Sequence, residues 1–154
     1  MLILQNMAGN PEIFDELVIN HDLTIPENKP PMEQLLGYKV KYEITKAEVI
    51  ATPLQSDDQP PLPIRKVILE GIAKITIKYV AAVEDQQVHG AHFDVPFSKL
   101  LIWPGGPAPS SPLCIDVLEE HVQFHMLDDR HITKLIVIQV NVSVNMEGGG
   151  NCGN

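Results

Sequence analysis

The sequence predicts an all-β protein, an antiparallel β-sandwich of seven or eight strands, Ig-like or jelly-roll-like. Three observations predict it. Long stretches alternate apolar and polar residues with period two; Pro- and Gly-rich loops separate them; no stretch of ten or more residues shows a helical period. The longest alternation is the last. Ile132, Ile136, Ile138, Val140, Val142 and Val144 fall on one side, interrupted only by Lys134, and Thr133, Leu135, Val137, Gln139, Asn141, Ser143 and Asn145 fall on the other. Runs of β-branched residues with this spacing make a strand with one face on a core. Cys114–Met126 alternates too, and the pair Asp128-Asp129 followed by Arg130 between them reads as a structural turn, because short carboxylates accept bonds from nearby backbone. The two stretches form a hairpin that serves as the spine of the fold.

The other elements follow in order. Residues 1–22 read as an N-terminal arm, with Leu2, Ile3 and Leu4 as one short strand. Ile13-Phe14 with Leu17-Val18-Ile19 makes a second apolar piece beyond the turn-like Gly9-Asn10-Pro11. Two readings of this arm stand: an edge strand on its own domain, or an extended segment that adds to the sheet edge of a neighbour. On the second reading Leu2, Ile3, Leu4, Ile13 and Phe14 are the candidate subunit contacts. The sandwich proper spans 23–146. It opens with the proline-rich Thr24–Pro31, then Met32–Leu36, which fits one helical turn stopped by Gly37. Tyr38 to Ala51 alternates, with a phase slip near Thr45-Lys46 that predicts a bulge. Gln55–Pro63 is a loop, Arg65–Ala82 a second long strand, and Val88–Phe97 a strand that Pro96 places at an edge or end. Leu100–Trp103 is a short apolar run before the loop Pro104–Pro112. Residues 147–154 read as a flexible tail rich in glycine and carrying Cys152.

Composition narrows the function. A chain of 154 residues suits one domain, and 44% hydrophobic with 20% charged residues is ordinary globular material. No run approaches the ~18 apolar residues that span a bilayer. Met1–Leu4 has no positive residues before it, so it is neither signal peptide nor membrane anchor, and the chain is expected to be made in the cytoplasm. A net charge of −9 without a basic cluster disfavours nucleic acid as a partner.

No catalytic, cofactor-binding or metal site is expected. His121 and His125 share the outward face of their strand, four residues or about 13 Å apart, too far to hold one ion. His89 and His92 flank a loop-to-strand entry, and only a fold contact would bring His131 to them. The serines lack a neighbouring base or glycine elbow, and the acidic pairs lack a calcium-loop ladder. Cys114 and Cys152 have three readings: idle thiols, an intramolecular bridge, or a cross-link from the tail to a neighbouring subunit under oxidising conditions.

The order of features resembles the SPOCS domain, a family of spore-coat-associated proteins in endospore-forming bacteria. The resemblance rests on Ile25-Pro26-Glu27-Asn28-Lys29-Pro30 followed by Met32–Leu36, the strands Lys39–Val49 and Val67–Val80, Phe93-Asp94-Val95-Pro96-Phe97-Ser98, and Leu127-Asp128-Asp129-Arg130. It covers about residues 24–145. In the best-known members the domain ties the coat to a morphogenetic scaffold and a wall-binding module accompanies it. This chain shows one copy, no such module, and instead an apolar arm and a cysteine-tipped tail. The resemblance therefore implies a structural role in a spore coat, exosporium layer or surface filament, made in the mother cell. The chain itself is the expected partner, as a homo-polymer, since a heterologous contact that does not close yields a filament or sheet. The competing expectation is a non-polymerising module that docks onto another coat protein.

Overall fold

The computed structural model describes residues 11–145 and Cys152. Seven strands order along the chain: β1 (Glu12–Ile19), β2 (Leu23–Thr24), β3 (Met32–Gln55), β4 (Pro63–Ala81), β5 (Val88–Pro104), β6 (Leu113–Met126) and β7 (His131–Val144). They form two antiparallel sheets packed as a sandwich. In one, β4 is central between β3 and β5; in the other, β7 is central, with β6 on one side and β1 then β2 along the other.

The inward alternation of the two central strands makes the core. Val67, Leu69, Ala73, Ile75, Ile77, Tyr79 and Ala81 of β4 face Ile132, Ile136, Ile138, Val140 and Val142 of β7, all with 1% of their surface exposed or less. Val95, Phe97, Leu101 and Trp103 extend the core along β5. Each large aliphatic buried this way contributes roughly 1.5–3 kcal/mol, so these two rows dominate the stability. Lys134 sits in the β7 row and is buried as well. Its amine donates to the His21 carbonyl, in the break between β1 and β2. Burial lowers its pKa, with Asp22 opposing the shift.

Three stretches differ from the sequence reading. Met32–Leu36 is not a helical turn; it begins β3, pairing Met32 with Ala81, Gln34 with Val80 and Leu35 with Tyr79. Five residues lack the length and caps that would hold a helix against this pairing. The register slips between Met32 and Gln34 and between Leu35 and Gly37, and these slips broke the alternation that marks a strand. Leu100–Trp103 is the end of β5 and not a separate run, continuous through Pro96, whose outward position on an edge strand leaves no central ladder bond to lose. Finally, Glu12–Ile19, eight residues of the expected 1–22 arm, is an edge strand paired with β7 of its own chain, Glu12 opposite Ser143 through Ile19 opposite Ile136.

The expected bulge in β3 falls between Ile44 and Lys46. Next to it, Gly71 of β4 lets the Phe97 ring and the Glu43 carbonyl approach the backbone: a Cβ there would lie 2.4 Å from Phe97 Cζ and 2.7 Å from Glu43 O. Gly37 has nothing within 4 Å of the same position. Gly71→Ala is therefore expected to destabilise by about 1–3 kcal/mol through overpacking, with Gly37→Ala within about 1 kcal/mol of the parent. Urea unfolding of both variants checks the contrast.

Candidate functional site

The features with distinct chemistry among the described residues lie at the seams between the sheets and at the two ends of the sandwich. Two seams run where the sheets meet. At one, β3 lies against β6: Tyr42 donates to Glu119 at 2.7 Å, and the Tyr38 ring stacks on Phe124 at 4.4 Å between centroids. Partial burial and the Glu119 carboxylate hold the Tyr42 phenol well above its ordinary pKa, so it stays protonated as the donor. At the other seam β1 lies against β5, where Lys99 and Asp15 form a 3.5 Å ion pair. A cleft of about 600 Å³ opens beside it, with Val18 and His21 on one wall and Glu70, Ile72, Pro96 and Ser98 among its other lining residues.

The ends of the sandwich differ in chemistry. At one end the Asp128–Asp129–Arg130 turn joins β6 to β7. The Asp128 carboxylate accepts from the backbone N–H of Arg130 (2.9 Å) and of His131 (2.8 Å) and meets the His131 ring at 2.8 Å. Those bonds, the Arg130 N–H first and the His131 side chain next, hold its carboxyl below the ordinary range. Arg130 Nη1 donates to the carbonyls of Pro26 (2.9 Å) and Lys29 (3.0 Å), and backbone bonds from Ile25 to Arg130 and from Met32 to Asp129 complete the clamp on the 25–31 loop. Tyr79 reinforces it from the core, donating to Pro30 O at 2.8 Å.

At the opposite end Cys114 and Cys152 form a disulfide, S–S 2.01 Å and Cα–Cα 5.3 Å. The chain has two cysteines and neither is free. Of the three readings of the cysteines this is the intramolecular bridge: the bond lies within one chain and closes a span of 38 residues around the β6–β7 hairpin.

Of the candidate subunit contacts, Leu2, Ile3 and Leu4 lie outside the described residues. Ile13 is turned toward the core and Phe14 is 64% exposed on the outer face of β1. The histidines do not converge. His121 and His125 are joined through Gln123 along the outside of β6, His92 meets Thr76, His89 stacks on Tyr79, and His131 stays with Asp128. Among the described residues no group of three or more His, Cys, Asp or Glu side chains is placed to hold a metal ion, and no helix is long and apolar enough to cross a membrane. Sequence reasoning missed the seam contacts, since Tyr42 and Glu119 are 77 positions apart and neither stands out locally. It also missed the exposed Leu100 and Ile102 on the outer face of the β3–β4–β5 sheet; the sequence signal for that face is Ile68, Ile72 and Val80, apolar residues on the polar side of their strand that indicate partial cover.

The described residues form a two-sheet antiparallel sandwich with a clamped loop at one end and a disulfide clip at the other. Comparison with known families adds to this. Residues 31–127, well over half of the chain, match the family described as SipL, SPOCS domain, and the chain belongs to that family. No curated protein and no solved structure matches it. Membership points to association with the spore coat, and the matched span runs from the end of the clamped loop to the start of the Asp128 turn.

Arg130→Ala is expected to lower stability by about 2 kcal/mol, because charge-assisted bonds to two carbonyls are lost together; thermal unfolding measures it. Asp128, with its pKa depressed on folding, contributes stability that is complete above the ordinary carboxylate range and fades as pH falls through its lowered value. Asp128→Ala should therefore flatten the acid limb of the stability profile below the ordinary carboxylate range, followed by urea titration. Cys152→Ser removes the constraint on the hairpin and is expected to cost about 2–4 kcal/mol, matched by the parent protein in reductant.

Proposed function

We propose that this protein is a structural, non-enzymatic subunit of a spore coat or exosporium layer or of a spore surface filament, and that it polymerises through its N-terminal arm. It is made in the mother cell and partners chiefly with itself. The observation that carries this reading is the layout of open edges. The 17-residue β5 and the 24-residue β3 each have one side without a strand partner among the described residues, as does β6. Unpaired edges of that length accept extended segments. With Glu12–Ile19 committed to β7 of the same chain, the segment left for a neighbour is residues 1–10, with Leu2, Ile3 and Leu4 as its apolar content.

The in-chain disulfide favours a second reading, a small-oligomer module that docks onto another coat protein, since it leaves no thiol for covalent linkage between subunits. Negative-stain microscopy and sedimentation of the purified protein separate the two. Polymerisation predicts concentration-dependent filaments or sheets that disappear when residues 1–10 are deleted, and that dissolve to monomers on a non-reducing denaturing gel. A monodisperse species at every concentration, unchanged by the deletion, sinks it in favour of docking.

A further inference from the structure

The outer face of the β3–β4–β5 sheet carries an apolar strip that no described element covers. Cross-strand pairing puts Ile50, Lys66 and Ile102 in one row and Glu48, Ile68 and Leu100 in the next, all pointing away from the core. Ile102 is 60% and Leu100 49% exposed, and Ile50 and Ile68 are half-buried between them. Two rows further along the same face, Ile72 pairs with Pro96 at the floor of the cleft beside β1. The row between holds Lys46, Glu70 and Ser98, Lys46 forms an ion pair with Glu48 at 3.5 Å, and Lys66 stands between Ile50 and Ile102, so charged residues are interleaved with the aliphatic ones. Exposed aliphatics grouped among polar residues on a sheet's outer face mark a candidate protein-docking surface.

The chain's own path indicates what covers it. Lys99 meets Asp15, and Leu17 to Ile19 line the cleft with Pro96 to Ser98, so β1 runs antiparallel to β5 across the seam. Glu12, three residues and about 10 Å before Asp15, therefore stands beside the Ile102 end of the strip. The residues upstream of it start where the strip starts. They comprise eleven positions without a single charged side chain, with Leu2-Ile3-Leu4 near their tip. Seven residues separate Leu4 from Glu12, a reach of about 23 Å when extended. That is ample to carry the tip away from the body that bears it.

We infer that the strip formed by Ile50, Ile68, Ile72, Pro96, Leu100 and Ile102 is the receiving surface for Leu2-Ile3-Leu4 of a second copy. The inference rests on the arm-mediated assembly proposed above and places its acceptor on the outer face next to the unpaired side of β5, the strand that carries Pro96, Leu100 and Ile102. Donor and acceptor then lie on different patches of one molecule, the heterologous arrangement that propagates instead of closing.

Two full-length variants test it. Leu100→Lys with Ile102→Lys keeps the arm and spoils the strip; Leu2→Glu with Leu4→Glu keeps the strip and spoils the arm. Both exposed positions tolerate charge, so the first variant should unfold at the parent's midpoint. Each variant alone is expected to need a concentration at least about tenfold higher to assemble, given the aliphatic area lost. Mixed, they should form one-to-one pairs and stop, as native mass spectrometry reads directly, because each supplies the half the other lacks. A strip variant that assembles like the parent while deletion of residues 1–10 abolishes assembly overturns this inference and leaves arm-mediated assembly standing. A parent that stays monomeric, with the arm variant newly binding an apolar dye, places the arm on its own molecule and overturns both.

Discussion

Everything in this fold depends on two strands being apolar on one side for their whole length. β4 and β7 are each the middle strand of a sheet, and each is flanked on both sides, so their backbone groups are satisfied laterally while their inward side chains meet. A one-residue slip of either would turn its entire row to solvent, which pins the register of the neighbours. Lys134 is the exception inside that row and tightens the constraint. Its amine reaches a carbonyl in the β1–β2 break, so the gap in the edge strand and the cation in the core are one arrangement. Shifting β7 by one position would turn Lys134 to the other face of its sheet and break that bond.

Around this centre the elements divide by how they are held. The 25–31 loop contributes little apolar area apart from Ile25, and backbone bonds to the Asp128–Arg130 turn take the place of packing. The β3–β6 seam is held by aromatic contact and a phenol–carboxylate bond, and the β1–β5 seam by an exposed ion pair of small worth. The β1 side is thus the more easily parted of the two seams, and it is the side on which the cleft and the aliphatic strip lie.

Much of the architecture was legible because alternation survives wherever one face of a strand is buried. The hairpin of β6 and β7, the length of β4 and the phase change at Thr45 were all readable from side-chain period alone. What was not legible has specific causes. Two bulges within six residues scrambled the pattern of Met32–Gly37 into something helix-like. The pairing of β1 with β7 links residues more than a hundred positions apart, and an eight-residue apolar piece does not announce whether its partner is its own chain or another. The bridge between Cys114 and Cys152 was one of three open readings because connectivity depends on where the tail returns, a property of the fold and not of spacing. The outer strip showed only as Ile68 and Ile72 out of phase, and needed the register of three strands before its members could be grouped.

The rung at Ser143 brings out one further property of the molecule. Glu12 is its partner on one side and Cys114 on the other, and Cys114 is bonded to Cys152. With strands about 4.8 Å apart, the entry of the chain and its clipped exit are separated by only about two strand widths. The molecule is thereby polar in the geometric sense, with Glu12 and the Cys114–Cys152 bond at one pole and the Arg130 clamp at the other. A permuted chain joined across that pole and reopened in the Gln55–Pro63 loop would keep every strand and its neighbours.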